Sequence, residues 1–215
     1  ERFEGRGGND TIDGGAITDT LNQTNGNQVS YRNATGAVSV DLLAGSATGA
    51  AGTDVLSNIN EARGSAFNDT LAGSNRTDVT ELFEGREGDD VIDGRGGFDI
   101  VRFDNATGGV TASLVSGTAT GGGIGNDTFT NVEGLWGSSH GDVLTGGNAA
   151  NGTSASDPAL SEFFVGGGGS DTIDGGQGYD LVSYQTSTTG VTVTLNDTLD
   201  GVGTDGFGGT DVLRN

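Results

Sequence analysis

Residues 166–183 read GGGGSDTIDGGQGYDLVS, which is two nine-residue segments joined end to end. Both follow the pattern Gly-Gly-x-Gly-x-Asp-x-U-x, in which U is a large apolar residue. Eleven intact, near or looser copies begin at residues 5, 14, 49, 64, 85, 94, 122, 137, 166, 175 and 206. Every copy has Gly first, Asp sixth and an apolar residue eighth. This agreement at fixed positions indicates that the repeat organises most of the chain.

The first six residues of each copy predict a tight loop that can hold a cation. Glycine tolerates positive φ and leaves the loop carbonyl oxygens uncovered. The sixth-position Asp adds an anionic ligand, and calcium accepts about six to eight oxygens in a flexible geometry. The last three residues predict a short strand whose eighth-position side chain points inward while its neighbours face water, because strand side chains alternate. Two such half-turns build one coil of a parallel β-roll with loops along both edges.

The tandem copies resemble the RTX (repeats-in-toxin) family, also called hemolysin-type calcium-binding repeats. The resemblance implies that each calcium ion lies between two loops stacked on the same edge, bound by loop carbonyls and sixth-position Asp residues. It also implies export by type I secretion through a C-terminal signal, which this segment does not contain. The predicted fold is therefore all-β, a right-handed parallel β-roll or β-solenoid with calcium-binding turns.

The candidate metal ligands are the carboxylates that recur at fixed loop positions. The sixth-position candidates are Asp10, Asp54, Asp69, Asp90, Asp99, Asp127, Asp142, Asp171, Asp180 and Asp211. A second rank, placed just before the first glycine of a loop, comprises Asp13, Asp93 and Asp174. Asp19 is left out because its copy has Ile17 at the fourth position and is followed by extra residues. In two other copies the fourth position is Phe67 or His140, which is expected to place a Cβ where the loop requires positive φ.

A longer period of about eighty residues contains the nonapeptides. It begins at Phe3, Phe83 and Phe164, and it continues through VSYRNATGAVSVDL, VRFDNATGGVTASL or VSYQTSTTGVTVTL. Alternating apolar residues around the central turn predict two strands that form a wider coil of the same spiral. We expect a single elongated domain over residues 1–215, with units at about 3–82, 83–163 and 164–215, as a fragment of a larger protein.

The composition favours a thin stack over an ordinary globular core. The chain has 32% hydrophobic residues and 43 glycines, which disfavour helices. Its formal net charge is −21, from 30 acidic and 9 basic residues, so repulsion opposes a compact metal-free state and nucleic acid is excluded as a natural partner. There are no cysteines, hence no disulfides or thiol ligands, and no membrane-spanning run is predicted.

A carboxylate pair, a histidine and a tryptophan could each carry chemistry or serve a structural role. Paired carboxylates such as Asp89 and Asp90 suit glycosidase chemistry only if they face one another across a cleft. The single histidine, His140, is predicted to be an exposed turn residue rather than a ligand. Trp136 is either a sugar-stacking platform or a plug inside the spiral, and we favour the plug.

The predicted function is structural calcium binding by a non-enzymatic module of a secreted or cell-surface bacterial protein of the adhesin, surface-layer or matrix type. It is expected to bind several Ca²⁺ ions and to fold outside the cell. Self-assembly and cell-surface polysaccharide are the other candidate partners. The alternative is an accessory module of a type I-secreted protease, lipase or polysaccharide-modifying enzyme. A third function, ice binding, requires a flat row of Thr and Asn that few copies provide.

Overall fold

The computed structural model describes residues 1–17, 26–147, 161–195 and 200–214. These residues form strands and turns without any helix, so none of them provides a helix that could cross a membrane. The chain divides into two compact units. Unit 1 comprises Glu1–Val101 and Ile124–Val132, and unit 2 comprises Arg102–Gly123 and Glu133–Asn215. The single domain with three repeat units stays a prediction.

The strands are short, as the three-residue x-U-x segments predict. The first eleven are β1 (Arg2–Glu4), β2 (Thr11–Asp13), β3 (Gln28–Ser30), β4 (Val38–Asp41), β5 (Ser46–Gly49), β6 (Gly52–Ser57), β7 (Glu61–Arg63), β8 (Thr70–Ala72), β9 (Thr80–Glu84), β10 (Val91–Asp93) and β11 (Phe98–Arg102). The others are β12 (Val110–Ser113), β13 (Thr118–Gly121), β14 (Asn126–Thr130), β15 (Gly134–Trp136), β16 (Val143–Thr145), β17 (Ser161–Val165), β18 (Thr172–Asp174), β19 (Tyr179–Val182), β20 (Thr192–Thr194), β21 (Gly201–Thr204) and β22 (Asp211–Arg214).

Each unit has a narrow sheet and a wide sheet, and the chain alternates repeatedly between the narrow sheet and the wide sheet. In unit 1 the narrow sheet has the order β1-β3-β7-β9-β11, and the wide sheet has the order β2-β6-β5-β4-β8-β10-β14. In unit 2 the narrow sheet is β15-β17-β19, and the wide sheet is β13-β12-β16-β18-β22-β21-β20. Strands from successive coils pair in parallel, which confirms the all-β parallel roll.

Antiparallel hairpins interrupt the parallel stack at three places in the wide sheets. They join β4, β5 and β6, then β12 and β13, and then β20, β21 and β22. They begin in the segments that were predicted as wider coils. The sequence pattern did not predict the hairpins, because an alternating apolar strand reads the same in either direction.

The core consists of the eighth-position residues, stacked in register. In the wide sheet of unit 1, Ile92 pairs with Leu71 on one side and Phe129 on the other. Burial of such a side chain contributes about 1.5–3 kcal/mol. The buried eighth-position residues are Ile12, Leu56, Leu71, Ile92, Val101, Phe129, Leu144, Ile173 and Leu213. Val182 is half-buried, and Leu21 lies outside the described residues. The inward apolar strip is thus confirmed.

The residue before this strip differs between the adjacent copies 85–93 and 94–102. Val91 in the wide sheet is 52% exposed, as predicted, whereas Ile100 in the narrow sheet is 0% exposed. The prediction that the neighbours of the eighth position face water is therefore wrong for Ile100. Ile100 lies in register with Leu82, which is also buried.

Candidate metal centres

The sixth-position aspartates of the wide sheets form a ladder along one edge of each unit. Seven of these carboxylates accept a hydrogen bond from a backbone N–H of the neighbouring coil: those of Asp54, Asp69, Asp90, Asp127, Asp142, Asp171 and Asp211. In unit 1, the N–H of Asp69 donates to Oδ1 of Asp90 at 2.7 Å, and that of Asp90 donates to Oδ1 of Asp127 at 3.0 Å. In unit 2, Asp142 donates to Asp171 at 2.8 Å and Asp171 donates to Asp211 at 3.1 Å. Three more bonds of this kind run from the N–H of Asp10 to Asp54, from that of Val38 to Asp69 and from that of Val110 to Asp142.

Most of the predicted ligands are buried, although they carry carboxylates. The buried ones are Asp54, Asp69, Asp90, Asp99, Asp127, Asp142, Asp171 and Asp211. Asp180 is half-buried and Asp10 is exposed. Asp19, which was left out of the candidates, lies outside the described residues.

Burial raises the pKa values of these carboxyl groups, because the charged form loses its hydration. The pKa of Asp90 rises to about 8, and those of Asp127 and Asp171 rise to about 7. Nearby carboxylates add to the effect, since Asp127 and Asp69 both act on Asp90. Without a cation, the edge therefore favours protonation of these groups.

Three of the predicted ligands have a buried oxygen without any hydrogen-bond partner. They are Oδ2 of Asp90, Oδ2 of Asp171 and Oδ1 of Asp180. A fourth such oxygen, Oδ2 of Asp205, belongs to a residue that the repeat pattern did not identify. A native fold rarely leaves buried polar atoms unsatisfied, so these atoms fit the coordination of a cation.

The loops leave no space for a side chain next to these oxygens. A Cβ on Gly85 would lie 2.1 Å from Oδ2 of Asp90, and one on Gly166 would lie 2.3 Å from Oδ2 of Asp171. Among the described residues, no three Asp, Glu or His side chains converge on one point. A site built on Asp90, Asp171 or Asp180 would thus be completed by loop carbonyls, which matches the oxygen-rich coordination of calcium.

Tyrosines occupy the same edge in the wider coils. The Tyr31 hydroxyl donates to Oδ2 of Asp54 at 2.8 Å, and the Tyr184 hydroxyl donates to Oδ2 of Asp211 at 3.0 Å. Sequence reasoning missed this role. The signal was available, because Tyr ends the Val-Ser-Tyr segment of both coils, while the intervening coil has Phe103.

The narrow sheets carry a second ladder of acids, which sequence reasoning found only in part. Glu81 lies in register with the predicted ligand Asp99, and Glu162 lies in register with Asp180. Both glutamates are buried, and burial raises their pKa values. The sequence signal for these glutamates is an acid two residues before Phe83 or Phe164. In the other copies the sixth-position Asp likewise lies two residues before the inward apolar residue.

The second-rank residues act as caps of the following turn. Oδ1 of Asp13 accepts hydrogen bonds from the Gly15 N–H at 2.9 Å and from Nδ2 of Asn58 at 2.7 Å. These contacts lower its pKa, the Asn58 contact most. Asp93 accepts from the Arg95 N–H at 3.0 Å, and Asp174 accepts from the Gly176 N–H at 3.2 Å. This is the side-chain geometry of an Asx turn.

Trp136 lies on the outside of its strand, so its interpretation as an internal plug is wrong. Its neighbour Leu135 is the buried, inward residue, and Trp136 itself is half-buried. The Arg102 guanidinium lies 4.7 Å from the centre of the indole ring, a distance that gives a cation–π contact. His140 is exposed in its loop.

Comparison with protein families agrees with this geometry. The model described as the RTX calcium-binding nonapeptide repeat (4 copies) matches residues 1–22, 80–102 and 162–182. The resemblance predicted from the sequence is thereby confirmed, together with calcium as the bound ion. No curated protein matches the chain significantly.

Proposed function

We infer that this carrier of RTX calcium-binding nonapeptide repeats is a structural module whose folding depends on calcium, in a secreted or cell-surface bacterial protein of the adhesin, surface-layer or matrix type. One observation carries the proposal, namely the buried carboxylate oxygens of Asp90, Asp171 and Asp180 that have no partner. A cation that satisfies these atoms binds the folded state and not the unfolded chain. Its binding free energy thus becomes folding free energy.

The charge of the chain supports a requirement for cations. A net charge of −21 accompanies buried acids that lie one coil apart, so the metal-free roll concentrates like charges along its edges. Calcium neutralises them where it is abundant, and extracellular calcium modules bind at about 10⁻⁴–10⁻³ M. This range motivates the proposed location outside the cell.

We also propose that the module is not an enzyme. Acid–base catalysis by two carboxyls requires that they face one another across a substrate. The acids of this chain instead follow one another along the sheet edge, and each is hydrogen-bonded to the adjacent coil. This arrangement supports a scaffold, and it is equally compatible with an accessory module attached to a secreted enzyme.

A groove in unit 2 supports polysaccharide as a second partner. It has a volume of about 390 Å³ and is lined by Asp104, Trp136, Ser139, Thr186 and Phe207, among others. Arg102 holds the Asp104 carboxylate by two hydrogen bonds of 2.9 and 3.2 Å. The half-buried Trp136 and the exposed Phe207, beside fixed polar groups, suit a sugar ring. Trp136→Ala should abolish retention on immobilised cell-surface polysaccharide; unchanged retention would rule out this groove.

The main proposal is tested by far-UV circular dichroism of metal-free protein. We expect a coil spectrum that turns into a β spectrum when calcium is added, with a midpoint between about 10⁻⁴ and 10⁻³ M. Equimolar magnesium should not produce the change, because magnesium demands a smaller octahedral site and retains its water. A β spectrum that is insensitive to calcium removal would contradict calcium-dependent folding. A midpoint below about 10⁻⁷ M would contradict the extracellular location, because the module would then fold at cytosolic calcium levels.

A further inference from the structure

Three loops share a serine at their second position, directly after the first glycine. They are 64–69 (GSAFND), 73–81 (GSNRTDVTE) and 137–142 (GSSHGD). All three serines, Ser65, Ser74 and Ser138, are buried. In each loop the serine lies against the acid that ends the loop.

Each serine occupies both oxygens of its acid. The Ser138 N–H donates to Oδ2 of Asp142 at 2.6 Å, and its hydroxyl donates to Oδ1 at 2.9 Å. Ser74 makes the same pair of bonds to Glu81, at 2.7 and 2.6 Å. Ser65 makes them to Asp69, with a hydroxyl bond of 2.9 Å.

The serine hydroxyl also fixes the backbone two residues later. It accepts the N–H of Phe67 at 3.2 Å, of Arg76 at 3.2 Å and of His140 at 3.0 Å. Positive φ among non-glycine residues in the described ranges is confined to Asn58, Arg86, Arg95 and Asn131. Phe67 and His140 therefore do not adopt positive φ, contrary to the sequence prediction, because the serine-centred turn replaces the glycine-type turn.

The loops whose acid has one unpartnered oxygen have a different backbone. In loops 85–90, 166–171 and 175–180, the second position is Arg86, Gly167 or Gly176, with φ of 86°, 93° and 82°. The fourth position is a glycine with φ of 121°, 113° and 139°, respectively. These are the loops of Asp90, Asp171 and Asp180, each of which has one buried oxygen without a hydrogen-bond donor.

A cation and an N–H group compete for the same carboxylate oxygen. In the serine loops the positive end of the N–H dipole already points at that oxygen. A calcium ion there would have to displace two donors and leave both without acceptors at a buried serine, which is unfavourable. The glycine-type loops carry no such penalty.

We propose that the residue at the second loop position decides whether a loop takes calcium. Serine satisfies the acid of loops 64–69, 73–81 and 137–142 by hydrogen bonds, without metal. Calcium binds to the loops that have glycine or arginine at this position. Each serine loop in turn stacks on a loop of the other kind: 64–69 on 85–90, 73–81 on 94–99 and 137–142 on 166–171. The inference rests on the proposed function, and it removes Asp69 and Asp142 from the predicted ligands.

The test is the number of calcium ions bound by the full chain, measured by titration calorimetry with calcium chloride. Asp69 and Asp90 are adjacent on one edge and are 2% and 1% exposed, so they form a matched pair. Asp90→Asn should bind one ion fewer than the parent, and Asp69→Asn should bind the same number. Equal losses in both variants would overturn the proposal.

A second pair of variants leaves every carboxylate in place. Arg86→Ser introduces the serine into loop 85–90 and should remove one ion, whereas Arg86→Ala should retain the parent number. Equal numbers in these two variants would overturn the proposal. Circular dichroism of the parent separates this outcome from failure of the proposed function, since only the latter predicts a parent chain that folds without calcium.

Discussion

The copies at 85–93 and 94–102 are joined end to end, and both place a buried aspartate before a three-residue strand. The first strand belongs to the wide sheet of unit 1 and the second to the narrow sheet. Their inward residues, Ile92 and Val101, are both buried, but Val91 is largely exposed and Ile100 is completely buried. The same motif thus specifies the inner face of a strand, while the neighbouring strands decide the environment of the outer face.

Long side chains lie along the outer face of the narrow sheet of unit 1. Arg63 and Glu84 lie in register on adjacent strands and form a buried ion pair. Leu82 and Ile100 lie beside this pair on the same face. The aliphatic part of an arginine covers apolar surface while its charged end is paired. The wide sheet offers no equivalent row around Val91, whose register neighbours are Thr70 and Thr128.

The largest expected effect is on the inner face that both copies share. Ile92→Ala should lower the free energy of unfolding by about 2–5 kcal/mol, because Leu71 and Phe129 enclose Ile92 in register. Ile92→Asp should cost more, since it adds a buried charge without a partner. Urea unfolding in saturating calcium measures both. If Ile92→Ala lowers stability less than Val91→Ser does, the inner and outer faces of this strand have been assigned the wrong way round.

The outer face of the second copy should be nearly as sensitive. Ile100→Ser removes a fully buried side chain and introduces a hydroxyl group, so we expect a loss of about 2–4 kcal/mol. The same urea experiment measures it. Stability equal to that of the parent would show that Ile100 is exposed in solution and would remove the contrast between the two sheets.

The aspartate of the first copy should make the metal-free fold dependent on pH. The pKa of Asp90 in the folded state, about 8, lies far above the ordinary carboxyl value near 4. The folded state then holds a proton that the unfolded chain has lost. The stabilisation that protonated Asp90 gives the folded state is complete below about pH 4, and it is lost as the pH rises through about 8. Circular dichroism of calcium-depleted protein should show β structure that decreases across this range.

Asp90→Asn should weaken this pH dependence, because an amide does not titrate. Glu87→Gln is the matched control, since Glu87 is an exposed acid of the same loop. An unchanged profile in Asp90→Asn would show that Asp90 has an ordinary pKa and is solvated in the metal-free chain.

The smallest effect is expected on the outer face of the first copy. Val91→Ser should change stability by no more than about 0.5 kcal/mol, as exposed substitutions usually do. Urea unfolding beside Ile100→Ser gives the direct comparison. A large loss would indicate that a partner covers the wide sheet in solution.

Sequence reasoning predicted the features that depend on fixed spacing. The apolar strip and the aspartate ladder follow from the eighth and sixth positions, since each strand must point its side chains in alternation. It missed Glu81 and Glu162 because the segments before them separate each acid from its first glycine by more than five residues. It could not predict the burial of Ile100, because its register neighbour Leu82 comes from another coil.

The aspartate ladder has a direction. In each of the seven hydrogen bonds that join neighbouring coils, the donor N–H precedes the accepting carboxylate in the sequence, as residue 69 precedes Asp90 and residue 142 precedes Asp171. A chain that emerges with its N-terminus first presents each new aspartate to an amide that is already in place. A chain that emerges in the opposite order leaves every aspartate without its donor until the next coil arrives. The two orders of emergence therefore differ in which group waits for its partner, a backbone amide in the first and a carboxylate in the second.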